Sequence, residues 1–279
     1  MNRVRIVCDS TASIPPAIAA ELDIAIVHAF INFGTESYRD ALDLSEAEFY
    51  AKLTSNPKLP TTSVPPPGVF EETYQRLGAD GDAIVSIHIN SRLSGMCNAA
   101  TAAARELPEL DIIVVDSQSL SMGLGWVAVL AARMARDGCA APEIIARTQN
   151  AIARVHLLAA LDTFENVRRS GRVSFPQAFL GTLFDIKPIL DIRADGIHPI
   201  DKVRARRAAV ARMIELVTAL SPFEELAVIH TNAPQRGIEL REQLAAIHPV
   251  ERILVIEAGA ILATHAGAGA LGIAGITQT

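Results

Sequence analysis

DAIVSIHINSRLSGMCNAATAAARE, residues 82–106, holds the reading that decides the fold. DAIVSIHI is a short apolar run of strand length and composition. NSRLSG is a polar turn, and MCNAATAAARE has the alanine content and spacing of a helix. A strand feeding a helix through a short polar loop is the repeating unit of a parallel sheet. The same unit recurs on either side. RVRIVC, 3–8, runs into DSTAS and then a helix over Ile14–Leu22, with Pro15 and Pro16 near its start. DIIVVD, 111–116, runs into SQSLSMGLG and an alanine-rich helix ending at Arg136. Between these lie IAIVHAFINF, 24–33, read as one strand, and LSEAEFYAKL, 44–53, a helix. Ser45 and Glu48 have the spacing of a capping box at its start. A further helix is expected over Val69–Leu77.

The pattern changes after GCAAP, 138–142. A helix starting near Pro142 runs towards Arg154, and IKPILDIRADGIHPIDKV, 186–203, reads as a hairpin around Asp195-Gly196. A basic helix is expected over 204–220. LAVIH and RILVIEA read as strands with a helix between them over Pro234–Ile247. The fold class expected is therefore α/β in two domains. Residues 1–155 form a parallel three-layer α/β/α domain, and residues 156–279 a second α/β domain with a mixed or antiparallel sheet. Residues 258–279 contain no Asp, Glu, Lys or Arg, but five glycines and four Thr or Gln residues leave too little apolar bulk for a membrane span. They read as a glycine-rich loop.

The 279 residues carry 25 basic and 31 acidic side chains, which excludes the basic footprint of a nucleic-acid binder. Cys8, Cys97 and Cys139 have no metal-ligand spacing and cannot form a complete disulfide set, so a reducing, cytoplasmic setting is expected. No cofactor or metal is implied, and at most transient membrane contact.

Three polar segments have the residues of a binding site. In PTTSVPPP, 60–67, Thr61, Thr62 and Ser63 are held between prolines, which forbid a helix interior and a central strand. SRLSGM, 91–96, lies where a strand ends and a helix begins, the place where open α/β sheets bind ligands. Ser94 there is either a hydroxyl ligand or an ordinary N-cap, and Gly95 allows close approach. THAGAGALG, 264–272, spells GxGxxG through Gly267, Gly269 and Gly272, with His265 its only titratable group. The acidic partner of a dinucleotide fingerprint is missing because it would fall past the end of this sequence. Arg172 on a tight Gly turn and Arg204 at a helix opening are placed to meet an anion. Asp9, Asp40 and Asp116 read as strand-end caps rather than as an acid–base pair.

CDSTAS, YRDALDLS, PTTSVPPP, INSRLSGM, VVDSQSLSMGLG, DTFENVRRSGR, IKPIL, KVRARR and THAGAGALG occur in this order, and together they closely resemble the DegV family over nearly the whole chain. These are bacterial fatty-acid-binding proteins related to the B subunits of fatty acid kinase. The resemblance implies a long-chain fatty acid in a buried apolar tunnel. Its carboxylate would lie at the domain junction on Thr62, Ser63, Ser94, Gly95 and His265. It also implies a carrier rather than a catalyst, presenting its lipid to an ATP-dependent kinase subunit, with Arg172 and Arg204 facing the acyl phosphate or the partner. This sequence departs from the family pattern at Val64, Met96, Ser170 and Ala268. His265 could switch carboxylate affinity near neutral pH. Two other readings stand beside the carrier: a serine-dependent lipid ester hydrolase with Ser94 as nucleophile and His265 as base, and a lipid-responsive regulatory protein.

Overall fold

The computed structural model describes residues 3–56, 58–173 and 186–279. The chain divides into two compact units. One comprises residues 1–45 and 61–153, the other residues 46–60 and 154–279. The segment 46–60 lies inside the stretch assigned from sequence to the first domain, yet it belongs to the second unit.

The first unit is built on a four-stranded parallel sheet. Its strands are β1 (Val4–Asp9), β2 (Ile24–Val27), β6 (Ala83–His88) and β7 (Ile112–Asp116), in the order β2-β1-β6-β7. Their near-continuous apolar runs are those of strands covered on both faces. Helices α3 (Pro67–Gly78) and α4 (Met96–Arg105) pack on each other and on β6, while α5 (Ser121–Arg136) packs on β1 and on α6 (Ala141–Ile152). The chain leaves β1 towards β2 through α1 (Pro16–Glu21), and leaves β6 in the opposite direction towards β7. The topological switch point therefore lies between the carboxyl ends of β1 and β6, where Asp9 and His88 stand. A small antiparallel sheet completes the unit: β4 (Glu36–Arg39), β3 (Phe30–Phe33) and β5 (Thr61–Ser63), in the order β4-β3-β5.

Two expectations change here. IAIVHAFINF is two strands in two different sheets, because the chain breaks at His28 and Ala29 between β2 and β3. The hydroxyl stretch of PTTSVPPP is the edge strand β5, bonded on one side only, and α3 starts two residues earlier than read, at Pro67. An edge and a first helical turn are the two places where the missing proline N–H does no harm.

The second unit holds a six-stranded mixed sheet. Its strands are β8 (Val155–Ala160), β9 (Lys187–Arg193), β10 (Gly196–Val203), β11 (Phe223–His230), β12 (Leu254–Glu257) and β13 (Leu271–Thr277), in the order β10-β9-β8-β13-β11-β12. All neighbouring pairs are antiparallel except β11 with β12. The expected hairpin is β9–β10, closed by Ala194 and Asp195. Helices α8 (Arg206–Thr218) and α9 (Pro234–Gln243) cover the sheet, with Met213, Val217, Leu240 and Leu244 packed among Leu226, Val228 and Ile273. Two short helices, α7 (Glu165–Ser170) and α10 (Ala260–Ala266), also belong to this unit. The segment 46–60 contributes α2 (Glu46–Ser55), whose Tyr50 hydroxyl donates to Glu257 Oε1 at 2.7 Å.

The reading of 258–279 as a glycine-rich loop is wrong. Those residues form α10 and then β13, an interior strand paired with both β8 and β11 and buried along nearly its whole length. The glycines are there for space. A Cβ on Gly275 would stand 2.7 Å from Phe223 Cδ1 and 2.9 Å from Glu225 O.

Gly275→Ala is therefore expected to lower unfolding stability by about 1–3 kcal/mol through overpacking. Gly68, in the first turn of α3 with open space around it, is the control: Gly68→Ala should leave the urea midpoint unchanged or slightly raised. Equal effects of the two substitutions in urea titrations would contradict this assignment of β13.

Candidate functional site

In the first unit the polar groups gather at the carboxyl end of the parallel sheet. Asp9 closes β1 and is fully buried. Its Oδ1 accepts from Thr11 N at 3.0 Å and from the Thr11 hydroxyl, and its Oδ2 accepts from Ile89 N at 2.9 Å. His88 Nδ1 lies 3.1 Å from the same Oδ2, and His88 Nε2 lies 2.7 Å from Ser86 Oγ. The Tyr74 hydroxyl donates to Ser86 Oγ at 2.8 Å, and the Phe70 ring meets the imidazole edge-on. One donor order satisfies the whole chain: Tyr74 donates to Ser86, Ser86 to His88, and His88 to Asp9. The Ser–His–Asp order is that of a hydrolytic triad. Ser86, His88 and Asp9 are each 0% exposed, so no substrate reaches the serine. The chain is a structural buttress.

What it supports is the loop carrying Ser94. Asp9 fixes Ile89, the first residue after β6. Asn90 then ties the loop together: its carbonyl accepts from Leu93 N and Ser94 N, and its side chain accepts from Arg92 N and donates to Gln118 O. Asp116 accepts from Ser91 N at 3.2 Å and Gln118 N at 2.8 Å. Asp9 and Asp116 are thus strand-end caps, as their positions in the sequence imply. Ser94 is not a regular N-cap. The cap position of α4 belongs to Gly95, and Ser94 Oγ lies a long 3.4 Å from Met96 N. Its hydroxyl is therefore only weakly engaged by the helix.

The two hydroxyl loops meet. A Cβ placed on Gly95 would stand 3.7 Å from Val64 Cγ2, so the Ser94-Gly95 turn lies against the residue that follows Ser63. Thr62 is half-buried in β5 opposite Ile31, and the Ser63 hydroxyl accepts from Asn32 Nδ2 at 3.2 Å. Four of the residues singled out from sequence thus lie on two adjoining segments, Thr62 and Ser63 on the edge strand β5 and Ser94 and Gly95 on the turn before α4.

In the second unit His265 lies in the last turn of α10. Burial, and then the positive charge of Arg172, hold its pKa down at about 4. The imidazole is neutral across the neutral range, which removes the expected switch near pH 7 and moves it into acid. Helix α7 packs on α10: Asn166 Nδ2 donates to Thr264 O at 3.1 Å, and Gly171 ends α7 in the left-handed conformation at φ +69°. That turn brings Arg172, otherwise exposed, close enough to act on His265. Arg204 lies two residues before α8 and is exposed. The arginine at the helix opening is Arg206, which pairs with Asp162. No described group of His, Cys, Asp or Glu side chains could hold a metal ion, and no described helix is long and apolar enough to cross a membrane.

Residues 3–278 match a family described as uncharacterised proteins, the DegV family. The chain belongs to the DegV family. Protein DegV of Bacillus subtilis is 34% identical over 274 residues, covering 97% of this chain and 98% of the relative. A DegV domain-containing protein of Streptomyces coelicolor is 34% identical over 276 residues, covering 98% of both. Among solved structures, a fatty-acid-binding DegV family protein from Thermus thermophilus superposes with a TM-score of 0.91 at 28% identity, over 99% of this chain and 100% of the other. DegV of Bacillus subtilis, described as a fatty acid binding protein, superposes with a TM-score of 0.89 at 32% identity over all of both chains.

Sequence reasoning passed over Ser86 and His88. The signal was available: two polar residues at i and i+2 in the apolar run AIVSIHI lie on one face of the strand, and buried polar groups need partners. Nothing local marked Asp162, whose partners are 44 and 74 residues distant.

Two measurements follow from this geometry. In an NMR pH titration His265 should stay neutral down to about pH 4. Arg172→Gln should raise that midpoint, though not to the free value, because burial is the larger cause. Since the folded pKa lies below the unfolded one, the linked loss of stability should set in as pH falls below about 6.5 and end near the folded midpoint. Ser86→Ala leaves the Tyr74 hydroxyl and His88 Nε2 without their partner and should destabilise by about 1–3 kcal/mol; an unchanged urea midpoint would remove the buttress role.

Proposed function

We propose that this protein binds a long-chain fatty acid and holds its carboxylate with the hydroxyls of Thr62, Ser63 and Ser94, the backbone at Gly95 and the neutral imidazole of His265. The observation that carries the reading is the meeting of the two hydroxyl loops at the switch point of the parallel sheet. Each loop is fixed by its own backbone and side-chain bonds, and together they offer neutral donors without a metal. A carboxylate withdrawn from water needs several such donors, because an unbonded buried charge is costly. Donors already fixed in place lose little entropy on binding. A neutral His265 supplies one N–H, and Arg172 beside it supplies positive charge at the rim. Two DegV relatives, 28% and 32% identical over essentially the whole chain, are described as fatty-acid-binding, which supports the same ligand here.

The alkyl tail supplies most of the affinity. At roughly 0.8 kcal/mol per methylene, a chain of about fourteen methylenes offers on the order of 11 kcal/mol before association costs. The product is a tightly held, slowly released lipid in an apolar tunnel, suited to a carrier. The carrier presents the carboxyl group to an ATP-dependent fatty acid kinase subunit for acyl-phosphate formation. Arg204, exposed ahead of α8, faces that partner.

Organic extraction of the natively purified protein, followed by mass spectrometry, should release one fatty acid per chain. Ser94→Ala and Thr62→Ala should each weaken fatty-acid retention by about ten-fold or more, the worth of one hydrogen bond to a charged group. Arg204→Ala should leave retention intact and slow kinase-dependent acyl-phosphate formation. A lipid-free protein that takes up nothing from a fatty-acid mixture would sink the reading, as would unchanged retention in both hydroxyl variants.

A further inference from the structure

The second unit contains a set of charges that lipid binding does not use. Asp162 follows β8 and its carboxylate is only 13% exposed. Arg206, at the start of α8, grips both of its oxygens, with Nε 2.9 Å from Oδ1 and Nη2 2.8 Å from Oδ2. Arg236, in the first turn of α9, reaches the same carboxylate at 3.5 Å and donates to Gly269 O at 2.8 Å. Lys187 Nζ donates to the backbone carbonyl of Asp162 at 2.6 Å. Two guanidinium groups thus converge on one carboxylate, and the Lys187 ammonium holds the backbone beside it. Glu257, which accepts from the backbone of Asn232, has its oxygens engaged by Asn232 N, the Tyr50 hydroxyl and His230.

The arrangement is rigid and concave. Asp162 sits so close to the glycine loop that a Cβ on Gly269 would stand 2.2 Å from Oδ2, and Gly269 has φ +84°. The loop is clamped from behind by Thr231, whose carbonyl accepts from Gly269 N and whose hydroxyl accepts from Ala270 N and donates to Gly267 O. Asp162, Arg206, Asn232, Gln235, Arg236 and Gly269 line a depression of about 500 Å³. Asp162 orients both guanidinium groups but cancels only one positive charge. Guanidinium donors not spent on Asp162 or Gly269 remain for a ligand, and paired arginines suit the several oxygens of a phosphoryl group better than a single carboxylate does.

We propose that this depression binds a phosphoryl group, free or as a monoester, through Arg206 and Arg236, with Asp162 as the positioning residue. Every residue of the site belongs to the second unit, and none is among those assigned to the fatty-acid carboxylate. The site therefore stands or falls separately from the lipid reading. It also gives the GxGxxG stretch a use: Gly269 permits the close approach of Asp162, rather than contact with a dinucleotide.

The test is a titration of the full chain with inorganic phosphate and, separately, with phenyl phosphate, at constant ionic strength. Binding is followed by the amide NMR shifts of Gly269 and Arg236. Saturable shifts are expected with at least one probe, weakened by about ten-fold in Arg206→Gln and in Arg236→Gln. Tighter binding of the ester would identify the ligand as part of a larger molecule, and tighter binding of phosphate would identify the free ion. Arg206 is 61% exposed, so its substitution should leave the fold intact and remain informative even if the Arg236 variant unfolds. No saturable shift with either probe, or wild-type affinity in the folded Arg206→Gln protein, would overturn the proposal.

Discussion

A carboxylate removed from water must have its lone pairs filled, and Asp9 is where that constraint shapes the first unit. Its two oxygens collect two backbone amides, a hydroxyl and an imidazole from the turn after β1 and from the end of β6. Those contacts join the two central strands at their carboxyl ends, at the point where the chain turns one way from β1 and the other way from β6. Everything that follows β6, including Ser94 and Gly95, is carried on a backbone that Asp9 begins to fix. The same constraint recurs in the second unit. Asp162 and Glu257 each stand at a strand end, and each is bonded by groups distant in sequence.

These buried acids also explain how separate segments are held to their units. Glu257 accepts from Tyr50, so the helix between β4 and β5 is anchored to the second unit although both flanking strands belong to the first. Asp162 is braced against Gly269 and held by Arg206 and Arg236, which ties the loop after β8 to α8, α9 and the loop before β13. In both cases an ionic or hydrogen-bonded contact fixes direction, and the surrounding apolar packing supplies most of the stabilisation.

The hydroxyl site follows a different logic. Thr62 and Ser94 are half-buried and Ser63 is exposed. They stand on an edge strand and a tight turn, both stiffened from behind, so their hydroxyls are held in place. His265 is the reverse: burial and Arg172 keep it neutral, which makes it a hydrogen-bonding group over the neutral pH range rather than a charged one.

Much of this was legible in the sequence. The strand–loop–helix repeats, the hairpin before α8, the exclusion of Thr62 and Ser63 from a helix interior and a central strand, and the turn that carries Ser94 and Gly95 followed from apolar periodicity and from what proline and glycine permit, which are local properties. The family likeness followed from motif order. Long-range pairing stayed hidden. The sequence could not tell that β13, written in glycine and alanine, is an interior strand, because Gly275 answers to Phe223 and Glu225 and Gly272 to Leu158 and Ile229, all distant in sequence. Nor could it place Tyr50 with Glu257, Asp9 with His88, or Asp162 with Arg206 and Arg236. Sequence alone determined which segments could be strands, helices or rigid loops, since backbone sterics and side-chain periodicity act within a few residues. The tertiary structure decided which polar groups are buried together, because that depends on charges and donors brought into contact only when distant strands pair.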